Sequence, residues 1–263
     1  PPPGPNPPPP PPSSDNDYSS TPMPPLPPGW TSVFEDEFSG SVIDRNKWGV
    51  LVGDGCPEDC TVRDGFTNDY TEDSVSVVNG IMRLTATRIP GTDRWHSGRI
   101  STYNTFPFRY GRVDFRARIE TGDGPFAGLN IMARNNVYGE WPLSGEINML
   151  KYNAAWKQNG ITRTSHAFHF AQFIENRFQN PDVDKFREYS LVWDEDVLIL
   201  YAGSLELLRY HKPQGSGYWQ WPFDQLFYLY ITLNIDWNQG PKVPPHVNRY
   251  VLEVDWIRIS QRH

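Results

Sequence analysis

Residues 112–119 read RVDFRARI, and this stretch shows the period that dominates the chain. Charged and apolar side chains alternate along it: Arg112, Asp114, Arg116 and Arg118 against Val113, Phe115, Ala117 and Ile119. Because successive side chains of a β-strand point to opposite faces, this period of two predicts a strand with one face in the core and one in water.

Further segments along the chain continue this strand pattern. Residues 74–89 predict two strands joined by the hairpin signal Asn79-Gly80, and residues 189–210 repeat the scheme. Residues 227–235, FYLYITLNI, are apolar on both faces and suit a central strand, whereas residues 248–260 predict a last strand. No window of eleven or more residues has helical spacing. The many short strands with frequent turns predict an all-β antiparallel sandwich or barrel.

The first 28 residues differ from the rest because they hold 15 of the 26 prolines. Proline has no N–H to donate to a sheet, so we expect a polyproline II or irregular tail over residues 1–28. Such a tail acts as a semi-rigid spacer or binds a protein partner. We expect residues 29–263 to form one folded domain.

Charge and composition argue against several classes of function. The net charge is −7 and the basic residues are dispersed, which makes nucleic acid and anionic membranes poor partners. No run of 18 apolar residues is present, so we predict no membrane span. Aromatic residues make up 14% of the chain, which fits either a large β core or a surface that presents flat faces to a ligand.

The two cysteines, Cys56 and Cys60, lie four positions apart. They could close a small disulfide loop in an oxidising compartment, with free thiols as the alternative. A metal site would need further ligands, and no histidine lies near them in the sequence, so we expect no metal and no cofactor. Because the chain begins without Met, we expect a mature form whose signal peptide has been removed, located outside the cell or at its surface.

Seven segments in order over residues 30–260 carry a family resemblance, among them FEDEFSGSVIDRNKW (34–48), SGRIST (97–102) and WPLSGEINML (141–150). Together they resemble laminarinase-type members of glycoside hydrolase family 16. The resemblance implies a concanavalin A-like β-jelly roll, a sandwich of two antiparallel sheets with a concave cleft. It also implies a polysaccharide ligand of the β-glucan kind.

The family's catalytic strand reads E-I-D-I-M-E, in which the first Glu is the nucleophile, the Asp is a helper and the last Glu is the acid/base. The resemblance places Glu146 at the nucleophile position, Asn148 at the helper position and Lys151 at the acid/base position. This register includes a bulge; without it, Leu150 would take the last position. A retaining glycosidase needs two carboxyl groups about 5–5.5 Å apart, and neither register supplies the second.

Other positions that resemble the family's cleft have changed or are matched only in part. Phe126 and Asn130 stand where laminarinases carry two cleft tryptophans. Tyr70 and Trp237 match loops that help to hold the sugar in the family, the second only loosely. Trp141 either stacks on a sugar ring or caps the end of its strand.

Three further residues, Arg99, His169 and His166, each have two interpretations. Arg99 reaches the Glu146 carboxylate or forms an ordinary surface pair. The resemblance places His169 near the former acid/base position, although a lone histidine on a strand is more often structural. His166 should face the opposite side of the strand from His169 unless a bulge intervenes.

These features lead to three hypotheses. The first is a catalytically impaired family member that binds β-glucan-like polysaccharide. The second is an active endo-glycosidase or transglycosylase whose replacement acid is Glu140, Asp182 or Asp184. The third is a structural or assembly protein of a wall or surface, which reuses the scaffold and connects through its proline-rich tail. We therefore lean against an enzyme, with a polysaccharide or a wall or surface protein as the partner.

Overall fold

A computed structural model describes residues 20–56, 58, 65–141, 143–153, 161–169, 172–179, 183–236 and 241–262. For residues 153, 161–169 and 172–179 it describes the backbone alone. The described residues form seventeen strands, and their helical structure is limited to a 3-10 turn at Glu72–Ser74. The prediction of an all-β fold is therefore confirmed.

The strands, numbered in chain order, form two sheets that are antiparallel except for one parallel pair between β3 and β6. The ten-stranded sheet contains β1 (Trp30–Asp36), β3 (Asn68–Tyr70), β4 (Val75–Val78), β5 (Ile81–Arg88), β6 (Trp95–Ser97), β8 (Gly111–Ile119), β13 (Arg187–Trp193), β14 (Val197–Ala202), β15 (Leu205–His211) and β17 (Arg249–Arg262). The seven-stranded sheet has the order β12 (Gln172–Gln179), β11 (Ile161–His169), β10 (Glu146–Asn153), β9 (Pro125–Ala133), β16 (Phe227–Ile235), β7 (Arg99–Ser101) and β2 (Gly49–Val50).

The core lies between the two sheets, and β16 contributes alternate side chains to it. In β16 the residues Phe227, Leu229 and Ile231 belong to the core cluster, while Tyr228 and Tyr230 lie on the other face of the sheet. All nine residues of β16 are nonetheless buried, and the strand lies between β9 and β7. The prediction of a central strand that is covered on both faces is confirmed.

The alternation that opens the sequence analysis is also confirmed in β8. Its four apolar side chains are fully buried, and two of its arginines pair with acidic residues of the neighbouring strand β17, while Arg112 pairs with Asp114 of β8 itself. Arg116 pairs with Asp255, and Arg118 pairs with Glu253. The outer face of this sheet is thus lined by ion pairs rather than by isolated charges.

The predicted hairpin joins β4 to β5. Val78 is paired with Ile81, and the two turn residues Asn79 and Gly80 have φ values of 53° and 75°. Positive φ at both central positions defines the type I′ turn, which Asn-Gly favours.

Residues 21 and 24 are hydrogen-bonded to the folded domain, while the domain boundary at residue 29 stays a prediction. The N–H of Thr21 donates to Asp255 Oδ2 at 2.9 Å, and Arg258 donates to the carbonyl of Pro24 at 2.7 Å. Residues 20–28 therefore lie against the outer face of the ten-stranded sheet without joining it as a strand. Residues 1–19 lie outside the described part of the chain.

No helix within the described residues has the length and apolarity needed to cross a bilayer.

Candidate functional site

Strand β10 carries the candidate site, and a bulge at Met149 sets which side chains leave its outer face. Asn148 is paired with Asn130 of β9, but Leu150 is paired with Leu129, so the register shifts by one residue between them. Met149 and Leu150 are both buried in the core. Because two successive residues turn inward, Lys151 returns to the face that carries Glu146 and Asn148.

Glu146 is 4% exposed, and two donors bind its carboxylate. The Tyr230 hydroxyl donates to Oε1, and the Trp141 indole Nε1 donates to Oε2 at 3.2 Å. Hydrogen bonds to an ionised acceptor are about twice as strong as neutral ones. The carboxylate is therefore fixed in place from strand β16 of the same sheet and from the loop before β10.

Tyr230 also contacts Arg99, a residue predicted to lie near Glu146. The Arg99 guanidinium carbon lies 4.3 Å from the centroid of the Tyr230 ring, and Arg99 is 1% exposed. The structure thus brings Arg99 into the same buried cluster as Glu146, with Tyr230 between them. Tyr230 was not among the predicted site residues, although the alternation of FYLYITLNI places its even-numbered residues on one face.

The helper position is occupied by a buried amide. Asn148 is 0% exposed, and neither atom of its amide has a hydrogen-bond partner among the described residues. Its cross-strand neighbour Asn130 is 2% exposed, with an unpartnered Oδ1. Buried amides are normally hydrogen-bonded, and these two are paired across neighbouring strands. At 2% exposure Asn130 offers little surface to a ligand.

Lys151, at the acid/base position, lies over an aromatic ring. Its Nζ lies 4.8 Å from the centroid of Phe126, which is half-buried and contacts Phe66 edge-to-face at 5.2 Å. A cation above a ring face is attracted by the ring quadrupole. The structure therefore places the ammonium and the predicted binding residue Phe126 next to each other on the outer face.

The other predicted binding residues differ in their exposure. Trp141 is 53% exposed, so much of its indole remains open to a ligand while Nε1 binds Glu146. Tyr70 is 1% exposed and donates its hydroxyl to Asn234 Oδ1 at 2.7 Å, so its ring is closed to a ligand. Trp237 lies outside the described residues, and its role stays a prediction.

The backbone positions of the two histidines on β11 follow from the pairing of β11 with β10. His166 is paired with Asn148, and Arg163 is paired with Lys151. His169 therefore lies six residues from the backbone position opposite Lys151, roughly 20 Å along the strand. The side chain of His169 is not described, and its placement near the acid/base position stays a prediction. The register shift between Arg163 and His166 toward β12 is the kind of bulge that the expectation for His166 allowed.

The proposed replacement acids have other surroundings. Glu140 Oε2 accepts a hydrogen bond from Asn136 at 3.3 Å in the exposed loop before β10. Asp184 is exposed before β13 in the ten-stranded sheet, and Asp182 lies outside the described residues.

The predicted disulfide stays a prediction, because Cys60 lies outside the described residues while Cys56 lies within them. In the described part of the chain, no group of three or more His, Cys, Asp or Glu residues is placed to hold a metal ion.

Two sheets packed face to face, with a carboxylate and aromatic side chains on the outer face of one, form a β-sandwich scaffold. No family model matches the chain. Over 273 residues it is 26% identical to glucan endo-1,3-beta-glucosidase A1 of Niallia circulans, covering 91% of this chain and 39% of that protein. It is 24% identical over 252 residues to the beta-1,3-glucan-binding protein of Penaeus monodon, covering 82% of this chain and 62% of the relative. The chain thus spans less than two thirds of either relative.

Among solved structures, the laminarinase from Flavobacterium sp. UMI-01 matches with a TM-score of 0.78 and 25% identity, covering 88% of this chain and all of that one. The chain has the laminarinase-like β-jelly-roll fold of glycoside hydrolase family 16.

Proposed function

We propose that this domain binds β-1,3-glucan or a related polysaccharide on the outer face of the seven-stranded sheet, without hydrolysing it by the retaining mechanism. One observation carries the proposal: the bulge at Met149 brings an ammonium, Lys151, to the face of Glu146 where the mechanism needs a carboxylic acid. Both a glucanase and a glucan-binding protein are among the relatives, which supports a glucan ligand but does not decide between binding and cleavage.

The chemical reason concerns the proton that the leaving oxygen must receive. In a retaining glycosidase one carboxylate attacks the sugar and a second carboxyl group protonates the departing oxygen. A lysine of ordinary pKa, about 10.4, binds its proton far more tightly than a carboxylic acid does. Loss of general acid catalysis alone lowers the rate by about 10²–10⁴-fold. Asn148 adds a second loss, because an amide cannot carry the helper's negative charge.

The side chains that remain on this face suit binding of a sugar rather than cleavage of it. Trp141 keeps an exposed indole, and Phe126 keeps a partly exposed ring beside Lys151. The Glu146 carboxylate can accept hydrogen bonds from sugar hydroxyls without reacting. A polysaccharide ligand of this kind agrees with action outside the cell or at its surface.

Calorimetric titration with laminarin, together with a reducing-sugar assay, tests both parts of the proposal. We expect saturable binding and no release of reducing ends above that of a Glu146→Gln control. Cleavage that disappears in Glu146→Gln would show an active enzyme with a different acid. The absence of binding to a panel of soluble and insoluble glucans would remove the proposed ligand.

A further inference from the structure

A second group of exposed aromatic side chains lies in the connection between β15 and β16. Tyr218 is 40% exposed and Trp219 is 49% exposed. Trp141 is the one other aromatic side chain with comparable exposure in the described part of the chain. Adjacent exposed rings present an apolar surface that a ligand can contact.

The Trp219 indole packs closely against the backbone at Gly217. A Cβ added at Gly217 would lie 2.4 Å from Cζ3 of Trp219 and 2.5 Å from its Cη2. The six-membered ring of the indole therefore occupies space that a side chain at residue 217 would need. The indole keeps half of its surface open while its orientation is fixed.

Neighbouring rings fix Tyr218 as well. Its ring stacks on Tyr138 with centroids 5.0 Å apart and an interplanar angle of 8°, and meets Trp219 edge-to-face at 5.5 Å. The Tyr138 hydroxyl donates to Asp224 Oδ1 at 2.7 Å. Burial and this hydrogen bond raise the pKa of Tyr138 to about 12, so the hydroxyl stays a donor. Rings ordered in advance lose little conformational entropy when a ligand binds.

Hydrogen bonds connect this group to the loop of the candidate site. Tyr138 and Trp141 belong to the same connection between β9 and β10. The N–H of Tyr138 donates to Ser144 Oγ at 3.1 Å, and Gln225 Nε2 donates to the carbonyl of Ser144 at 3.2 Å. Ser144 lies two residues before Glu146. The loop that carries Trp141 and the connection that carries Trp219 are therefore joined by hydrogen bonds next to the start of β10.

We propose that Tyr218 and Trp219 form a second saccharide-binding subsite, which stacks on a pyranose ring of the same glucan chain beyond the Glu146 site. This inference rests on the proposed function. A pyranose has an apolar face of C–H groups about the size of an indole, which suits a flat ring with one free face. The patch of two rings is far smaller than the roughly 800 Å² per partner that a stable protein interface buries.

Binding of β-1,3-linked oligosaccharides of increasing length tests the subsite. We expect Trp219→Ala to weaken binding of long oligosaccharides about tenfold, equivalent to about 1.4 kcal/mol, and to leave short ones unchanged. Gly217→Ala, which keeps the indole but forces it off the backbone, should produce the same length-dependent loss. Trp219→Phe should recover part of the affinity.

The matched control is Leu205→Ala on β15, which truncates a side chain of similar exposure, 48%, in the ten-stranded sheet. It should bind every oligosaccharide as the unmodified protein does, and all variants should keep their melting temperature. If the unmodified protein binds glucan and Trp219→Ala binds long oligosaccharides as tightly as the unmodified protein does, the subsite is overturned and the proposed function stands. If the unmodified protein binds no glucan of any length, both are overturned.

Discussion

The Tyr230 hydroxyl reaches across β9 to donate a hydrogen bond to the Glu146 carboxylate, so that two strands of the seven-stranded sheet are joined through a buried charge. In Tyr230→Phe this carboxylate keeps only the Trp141 donor among its described contacts. We expect a loss of about 1–3 kcal/mol in the free energy of unfolding, measured by urea denaturation. In a Glu146→Gln background the loss should be smaller, since a neutral acceptor forms a weaker bond. Equal losses in both backgrounds would contradict a charge-assisted bond.

The acid/base position can be tested by restoring carboxylates. We expect the double variant Lys151→Glu, Asn148→Asp to release reducing ends from laminarin at least about 10²-fold faster than the unmodified protein, because a general acid and a helper charge return to the face of Glu146. The control adds Glu146→Gln to the same two changes and should abolish the gain. A double variant that folds and binds laminarin without any gain in cleavage would show that further positions block the reaction.

The exposed indole of Trp141 should contribute to glucan affinity independently of its hydrogen bond. We expect Trp141→Ala to weaken laminarin binding about tenfold or more, as is common for an exposed tryptophan anchor. Trp141→Phe keeps an aromatic face but loses the N–H to Glu146, so its affinity should fall less. The measurement is calorimetric titration; an affinity unchanged in Trp141→Ala would assign the indole to capping the strand.

The segment of residues 20–28 should stabilise the domain. A chain that starts at residue 29 loses the N–H of Thr21 to Asp255 and the carbonyl of Pro24 to Arg258. Because bonds to charged groups contribute about 1.5–3 kcal/mol, we expect a fall in melting temperature of several degrees. A chain that starts at residue 20 is the control and should melt like the full chain. Identical melting of both truncated chains would show that the segment contributes no stability.

Asp255 gives a pH dependence with a definite sign. Burial, opposed by the N–H of Thr21 and by Arg116, raises the pKa of this carboxyl above its ordinary value of 3.8. A raised folded-state pKa means that the contribution of Asp255 is fully present below the unfolded pKa and is lost as pH rises through the folded pKa. The stability of Asp255→Asn relative to the unmodified protein should therefore increase from about pH 3 to about pH 7.

Urea denaturation at each pH measures this difference. Ser260→Ala, which removes a non-titrating buried side chain from the same strand, is the control and should show a constant difference. A difference for Asp255→Asn that shrinks as pH rises would contradict the raised pKa.

Local sequence patterns predicted many of the strands and a turn between two of them. The period of two in RVDFRARI, the Asn79-Gly80 turn and the doubly apolar β16 each reflect contacts between residues close in sequence or on one strand. Tyr230, Arg99 and Glu146 lie on three different strands, and their contact depends on sheet order, which no local pattern contains. The register of β11 against β10 is missing from local patterns for a related reason, because strand register is set by pairing and not by the strand's own sequence.

The hydrogen bonds of Thr21 and Pro24 with the ten-stranded sheet were not predicted either. The prolines of residues 20–28 exclude this segment from a sheet, as predicted, but a backbone that cannot form a ladder can still accept and donate single hydrogen bonds. Those bonds depend on Asp255 and Arg258, more than 200 positions away.

The extra residue at Met149 has a consequence for insertions and deletions. Removing Met149 would restore uninterrupted alternation along β10 and would leave Leu150 facing the core and Lys151 on the outer face. A strand of the same length without the bulge would instead turn the Lys151 ammonium toward the space between the sheets and Leu150 toward solvent. A deletion at Met149 should therefore be tolerated better than a loss of the bulge at full strand length.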